Sequence, residues 1–299
     1  MDAAREARRY VKALRAWPPL NAATTGVVRW IARMTGVRHE WAVRHLHRVG
    51  SVSAKLPNGR TLRLSSRGDD WVSNQVFWRG WLAHEADTAP VFFRLAERAR
   101  VTVDVGAYVG YFTVLAAHAN PAGRVLAIEP LPPVYARLVR NIRLNRLGNV
   151  DCVMAAAGAA EGAASFYYQA HGLPTSSSLS RAFMAGVENL TVTNVPVVAV
   201  DSLLVQRGIC LVDLIKIDTE STEPDVLAGM ASTLRRDRPA IICEVLKGRG
   251  AEERLNAVMR PLSYRYYLLT PDGPVARGVI EGHPECLNYL LVGRDADRP

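Results

Sequence analysis

Asp104, Gly106 and Gly110 stand close together in the run VTVDVGAYVGYFTV over residues 101–114, which joins one acid to two residues that lack a Cβ. β-favouring residues precede the acid, and an apolar run with helical character follows the second glycine. A strand, an acid, a glycine turn and a helix are how an α/β sheet presents a nucleotide-like ligand at the carboxyl end of its first strand. The glycines let the backbone turn tightly and approach a ligand closely. Glu129 ends the next expected strand, Arg124–Ile128. A carboxylate there can accept both hydroxyls of an adenosine ribose.

These features alone fit two chemistries. A nicotinamide-dependent oxidoreductase needs a glycine-rich turn whose helix N-terminus takes a pyrophosphate, normally G-x-G-x-x-G. Here the turn reads DVGAYVG, opens on an acid and carries Tyr108 where a middle glycine would stand. An acid repels a pyrophosphate and suits the cationic end of S-adenosylmethionine. A methyl-transfer site then needs alignment of donor and acceptor, exclusion of water and a base for the acceptor proton.

Candidates for that base sit on loops expected at strand ends. Asp218 and Glu220 follow the apolar strand Leu211–Ile217, Glu244 follows the strand from Ala240, and His171 lies on the polar loop before Ser176–Ser178. His171 has a suitable proton affinity near neutrality. Asp218, Glu220 and Glu244 could instead offer oxygens to Mg²⁺. The preferred reading uses no metal: Asp218 contacts cofactor and acceptor, while Glu220 and Glu244 make structural hydrogen bonds. Lys216, interior to an apolar strand, is expected to pair with a neighbouring acid.

The segments DVGAYVGYFT (104–113), AIEP (127–130), NIRLN (141–145), SSSL (176–179), DLIKIDTES (213–221) and PAIICE (239–244), in this order and spacing, resemble the FkbM family of S-adenosylmethionine-dependent methyltransferases. The likeness covers roughly residues 88–249. It implies a class I, Rossmann-like, seven-stranded, mostly parallel sheet with an antiparallel last strand. It also implies methyl transfer to a hydroxyl of a sugar or natural-product acceptor, glycoside or polyketide. By the same resemblance Asp104, Gly106, Ala107, Tyr108, Gly110 and Thr113 form the cofactor loop, Glu129 with Pro130 holds the ribose, Ala156 and Ala157 line the adenine pocket, and Asp218 lies beside the reactive end. The chain departs from the family twice. Tyr108 replaces an Asn, which tolerates left-handed backbone better. Ser221 replaces a Gly, so a backbone needing positive φ would be hindered there. The rival readings are an NAD(P)-dependent oxidoreductase and a non-catalytic protein that binds an adenosine ligand.

The elements that must position these residues follow from pattern. Residues 88–299 alternate strand and helix: Thr88 with Pro90 opens a helix, Pro132-Pro133 starts another closed by Gly148, and Val150–Ala155 is a strand. Asp201 is expected to cap a short helix. Tyr264–Leu269 and Leu287–Val292 form strands with no helix between them, hence an antiparallel pair. Residues 1–87 read as an appendage, a candidate acceptor lid or oligomerisation segment. It has helices near 3–16, 21–34 and 39–48, then a hairpin about Pro57-Asn58-Gly59-Arg60, where Asn-Gly signals a tight turn. The segment 70–85 is rich in aromatics, and all six tryptophans lie in the first 81 residues. Trp78 and Trp81 are candidate walls of the acceptor pocket, with Ser177 and Glu244 as further acceptor contacts.

The charge is uneven. The net charge is +9, and the excess gathers in residues 1–50, where Asp2, Glu6 and Glu40 face a run of arginines. Peripheral contact with an anionic membrane through this segment is open, as is a homo-oligomer. No nucleic-acid-binding motif accompanies the charge. No apolar run reaches membrane-spanning length, and no signal peptide is evident, so a cytoplasmic protein is expected. Cys152, Cys210, Cys243 and Cys286 lie in or beside apolar runs without metal-ligand spacing and are expected to be reduced core residues.

Overall fold

The computed structural model describes residues 17–35, 40–169, 173–174 and 177–293. The chain divides into two compact units, one ending at His84 and the other beginning at Glu85. The division falls just before the boundary expected from composition.

In the first unit, α1 (Pro18–Thr35) and α2 (Glu40–His45) precede a hairpin of β1 (Val49–Lys55) and β2 (Thr61–Arg67). Gly59 takes φ 79° in the turn, and the Arg60 amide donates to Asn58 Oδ1 at 3.2 Å. Leu62 and Leu64 alternate into the core, as a half-buried strand requires. Helix α3 (Trp71–Arg79) begins where Asp70 accepts the Ser73 amide at 2.7 Å and stops at Gly80, φ 87°. The expected first helix, 3–16, lies outside the described residues.

The second unit opens with α4 (Ala89–Arg98), β3 (Val101–Val105), α5 (Tyr111–Ala119), β4 (Arg124–Ile128), α6 (Pro132–Asn145) and β5 (Val150–Val153). Helix α6 ends at Arg146, which takes φ 55° and closes the last turn, so Gly148 is not its stop. The strand expected over Val150–Ala155 stops at Val153, and a further short strand, β6 (Ala156–Ala157), joins a separate four-stranded sheet with β7 (Gly162–Gln169), β8 (Ser177–Ser178) and β9 (Leu190–Val198).

Next come α7 (Val200–Gln206), β10 (Leu214–Ile217), α8 (Glu223–Ala228), α9 (Ala231–Arg236), β11 (Ala240–Glu244), α10 (Ala251–Met259), β12 (Tyr264–Thr270), β13 (Gly273–Arg277) and β14 (Asn288–Gly293). Asp201 does cap a helix, but not its own. Its carboxylate accepts the Ser232 and Thr233 amides at the start of α9.

The main sheet runs β13-β12-β14-β11-β10-β3-β4-β5. The expected seven strands are all present, with β14 antiparallel to both β11 and β12. The eighth strand, β13, adds a hairpin at the β12 edge. It was missed because its burial pattern is almost wholly exposed, which leaves no apolar alternation to read. Strands β3, β4, β10 and β11 are buried on both faces, and the apolar residues of one face form a large core with Leu203, Leu227 and Leu255.

Two consequences position the site. Strand β3 lies between β4 and β10, so successive connections leave it in opposite directions and open a crevice at its carboxyl end. Because β14 is antiparallel, its amino end reaches that same edge, with Asn288 in register beside Glu244. All four cysteines are free, but only Cys243 and Cys286 are buried. Cys210 is exposed, so the core reading fails for it. Among the described residues, no helix is long and apolar enough to cross a membrane.

Candidate active site

The site is built on the carboxyl ends of β3, β4, β10 and β11. After β3 the chain must turn through a crowded space. Gly106 takes φ 78°, and a Cβ there would lie 1.8 Å from the Asp218 carbonyl oxygen. Any side chain would thus push apart the β3 and β10 ends. The Gly106 and Ala107 amides both donate to Ile128 O at 3.0 Å, tying the turn to β4. Gly110, φ 85°, is the left-handed N-cap of α5, so the helix begins at Tyr111. Asn141 on α6 donates to Val109 O at 2.7 Å and fixes the far side of the loop.

Asp104 is buried and accepts from Thr113 Oγ1 at 2.5 Å. Burial raises its pKa to about 6, against the Thr113 hydrogen bond and the Lys216 charge. Glu129 is also buried, and burial raises its pKa to about 7. One Glu129 oxygen accepts the Tyr108 amide at 3.0 Å and the other the Leu131 amide at 2.9 Å. Each carboxylate oxygen retains a lone pair for a ligand hydroxyl.

Tyr108 adopts the left-handed conformation that its Asn counterpart would suit, with φ 50°. This costs about 1–2 kcal/mol for a non-glycine residue. Its amide is anchored on Glu129, its hydroxyl lies 3.5 Å from Leu173 O, and its ring packs on the cluster of Leu131, Val134, Ala156 and Leu173. The backbone strain and the packing of the ring thus occur together. Pro130, which precedes Leu131 in the chain, is buried. Adjacent strand residues face opposite ways, and the two alanines divide accordingly. Ala156 belongs to the Tyr108 cluster, whereas Ala157 is packed in the main core.

The opposite side of the crevice is dense in acids. Lys216 is wholly buried in β10. Its Nζ lies 3.1 Å from Asp218 Oδ2, 3.2 Å from Asn288 Oδ1 and 3.7 Å from Glu85 Oε2. Burial opposes its charge, yet Asp218, Glu85 and Glu244 hold its pKa above the ordinary lysine value. Asn288 in turn donates to Glu85 Oε2 at 2.9 Å. The expected pairing of Lys216 with an acid is therefore present, and Glu85 and Asn288 complete it. Sequence reasoning missed both, since no local pattern marks them.

The 218–223 loop is strained and well braced. Glu220 and Ser221 take φ 57° and 80°, so Ser221 occupies the conformation that a glycine would hold more cheaply. Glu223 Oε1 accepts the Thr219 amide, the Thr219 hydroxyl and the Ser221 amide at 3.0–3.1 Å. Ser178 on β8 donates to Glu220 O at 2.6 Å. Ser178, rather than its neighbour Ser177, thus holds the loop, while Ser177 pairs in the β7–β8 ladder opposite Tyr168.

Burial, then the charges of Asp218 and Glu223, raises the Glu220 pKa to about 8. Burial, then Asp218 and Glu220, pushes Glu244 well above the carboxylate range. Glu244 Oε2 is buried without a hydrogen-bond partner, so the expected structural hydrogen bond is missing there. Among the described residues, no group of three or more His, Cys, Asp or Glu is placed to hold a metal ion.

Trp78 belongs to the first unit, where its indole N–H donates to Leu46 O at 3.0 Å. Trp81 lies in the short 3₁₀ turn after Gly80. His171 and Ser176 lie outside the described residues.

The crevice therefore presents two environments, a glycine turn between Asp104 and Glu129 and an acid-rich edge around Lys216. The acids do not suit a pyrophosphate, which argues against the dinucleotide alternative. Comparison with known proteins agrees. The family model described as the methyltransferase FkbM domain matches residues 104–269. A curated relative, 31-O-demethyl-FK506 methyltransferase FkbM of Streptomyces tacrolimicus, is 26% identical over 231 residues, 69% of this chain and 86% of the relative.

Among solved structures, methyltransferase FkbM from Methylobacillus flagellatus KT is 16% identical, with a TM-score of 0.43 over 64% of this chain. The match spans only 43% of that longer chain. The O-methyltransferase TomG from Streptomyces achromogenes is 14% identical, with a TM-score of 0.41 over 70% of this chain and 80% of its own. The family match takes in more than half of the chain, and the protein belongs to the FkbM methyltransferase family.

Proposed function

We propose that the protein is an S-adenosylmethionine-dependent O-methyltransferase whose acceptor is the hydroxyl of a small molecule, a sugar or natural-product scaffold. The observation that carries this reading is the acid-rich edge. Asp218, Glu85 and Glu244 act on Lys216, Asp218, Glu220 and Glu223 act on Glu244, and Glu244 Oε2 has no partner. Acids crowded together in this way hold their protons until a cation arrives, which fits a cationic ligand beside a proton-donating one. The printed name of the Streptomyces tacrolimicus relative, with its O-demethyl substrate, favours oxygen as the acceptor atom.

S-adenosylmethionine supplies a methyl group activated on a sulfonium. Glu129 would take the ribose hydroxyls, Ala156 and the Tyr108 ring would face the adenine, and Asp104 would add negative charge behind the glycine turn. Lys216 holds Asp218 in place by the ion pair, so Asp218 serves to orient. Glu244 would accept a hydrogen bond from the acceptor hydroxyl through its unpaired oxygen. Glu220, with a pKa of about 8, is matched to removing that hydroxyl's proton as the oxygen attacks.

Titration with S-adenosylmethionine, S-adenosylhomocysteine and NAD(H), followed by labelled-methyl transfer to a panel of glycosides and polyketide alcohols, tests the reading. Binding of the first two ligands and a labelled ether product are expected. Tight nicotinamide binding without adenosylhomocysteine binding would overturn the proposal. Cofactor binding with no labelled product across the panel would favour the non-catalytic alternative.

A further inference from the structure

Helix α1 is inside out. Its polar stripe faces the first unit's own hairpin: Asn21 donates to His47 O and accepts the Val49 amide, and Thr25 Oγ1 accepts from Arg48. Arg29 lies over the Phe77 ring. The opposite stripe, Val27, Trp30, Ile31 and Met34, has the i, i+3, i+4, i+7 spacing of a core face, yet Trp30 is 63% exposed and Met34 70% exposed. Trp17 and Trp41 of the same unit are also exposed, at 59% and 64%. A helix that turns its apolar stripe to solvent leaves a surface that calls for an occupant.

Charge identifies that occupant. Residues 1–84 hold fifteen Lys and Arg against five Asp and Glu, whereas the rest of the chain holds 22 against 23. The whole positive excess belongs to the unit that carries the apolar stripe. A second copy would bring like charges together, which disfavours self-pairing. An anionic bilayer offers both what the stripe and the charge require, an apolar interior and negative headgroups. Tryptophan suits the boundary between them. We propose that the first unit docks on an anionic lipid surface, with the Val27–Trp30–Ile31–Met34 stripe of α1 entering the headgroup boundary and the unit's excess positive charge meeting the headgroups. The inference is independent of the methyl-transfer reading.

The test is flotation of the full chain with vesicles of phosphatidylcholine alone or mixed in equal parts with phosphatidylglycerol. Tryptophan emission would be read alongside. Binding to the mixed vesicles, a blue shift and weakening by salt are expected. The double variant Val27→Asp with Ile31→Asp alters exposed side chains and should keep the wild-type thermal midpoint while partitioning roughly tenfold less or weaker still. Absence of flotation with mixed vesicles would overturn the proposal. So would equal flotation of the double variant, which would leave only diffuse electrostatic adsorption. A dimer in light scattering that the same variant dissolves, without vesicle binding, would assign the stripe to a second copy instead.

Discussion

Glu129 and Glu244 occupy equivalent places, each at the carboxyl end of a parallel strand in one sheet, and their surroundings differ sharply. Glu129 is satisfied by two backbone amides supplied by its own loop and by the glycine turn. Glu244 has a buried oxygen with no partner and acids for neighbours. In the proposed reading the first is a holder, pre-aimed before any ligand arrives. The second is left unsatisfied, at a cost to the free protein, so that a ligand gains what the fold forgoes. Strand-end position thus places a carboxylate in the crevice, but the loops around it decide whether it binds or reacts.

The comparison can be broken most severely at Glu220, the proton acceptor proposed for the acid-rich side. Glu220→Gln should lower turnover by about 10²–10⁴-fold while leaving adenosylhomocysteine affinity intact. In the wild type, turnover should climb with pH up to about 8, as Glu220 loses its proton, and the variant should lack that limb. Wild-type turnover would move the base elsewhere, with His171 next to be replaced. The same raised pKa affects stability. Glu220 binds a proton more tightly folded than unfolded, so its contribution is present below the ordinary value of 4.5 and is lost as pH rises to about 8. Thermal melts of the free protein should show that decline flattened in the variant.

On the holding side, Glu129→Ala should weaken cofactor binding by about 1–3 kcal/mol, because two buried amides and the ribose hydroxyls lose their acceptor. Unchanged affinity by titration would erase the distinction between the two glutamates. The smallest effect is expected at Ser221→Gly. The residue already takes φ 80°, and its buried hydroxyl makes no hydrogen bond. Relief of that strain should stabilise the fold by about 1 kcal/mol in denaturant unfolding. A loss of stability would show that the loop's bracing, and not its backbone, sets the cost.

Local sequence carried much of this. Apolar runs ending on an acid announced β3, β4 and β11, because a strand buried on both faces leaves few other readings. The glycine turn was legible because close backbone approach admits no other residue at Gly106. Helix ends read less well. Arg146 closes α6 in a conformation that the neighbouring Gly148 seemed made for, since the last carbonyls, and not propensity alone, choose the residue that turns. Strand β13 and helix α9 lack the patterns that would mark them.

What the sequence by itself determined is the order of strands and helices, the family, and the acids that reach the crevice. These follow from short-range pattern and from residue types that only one backbone path accommodates. Only the tertiary structure decided their chemical state. Lys216 finds Asn288 72 positions away, and Asn288 finds Glu85 across 203. The proton affinities of Glu129, Glu220 and Glu244 follow from burial and from neighbours that the chain brings together only on folding. Likewise, nothing in the order of residues shows that α1 turns its polar stripe inward. That choice was made by the amide of Val49 and the carbonyl of His47, which needed partners once the hairpin had formed.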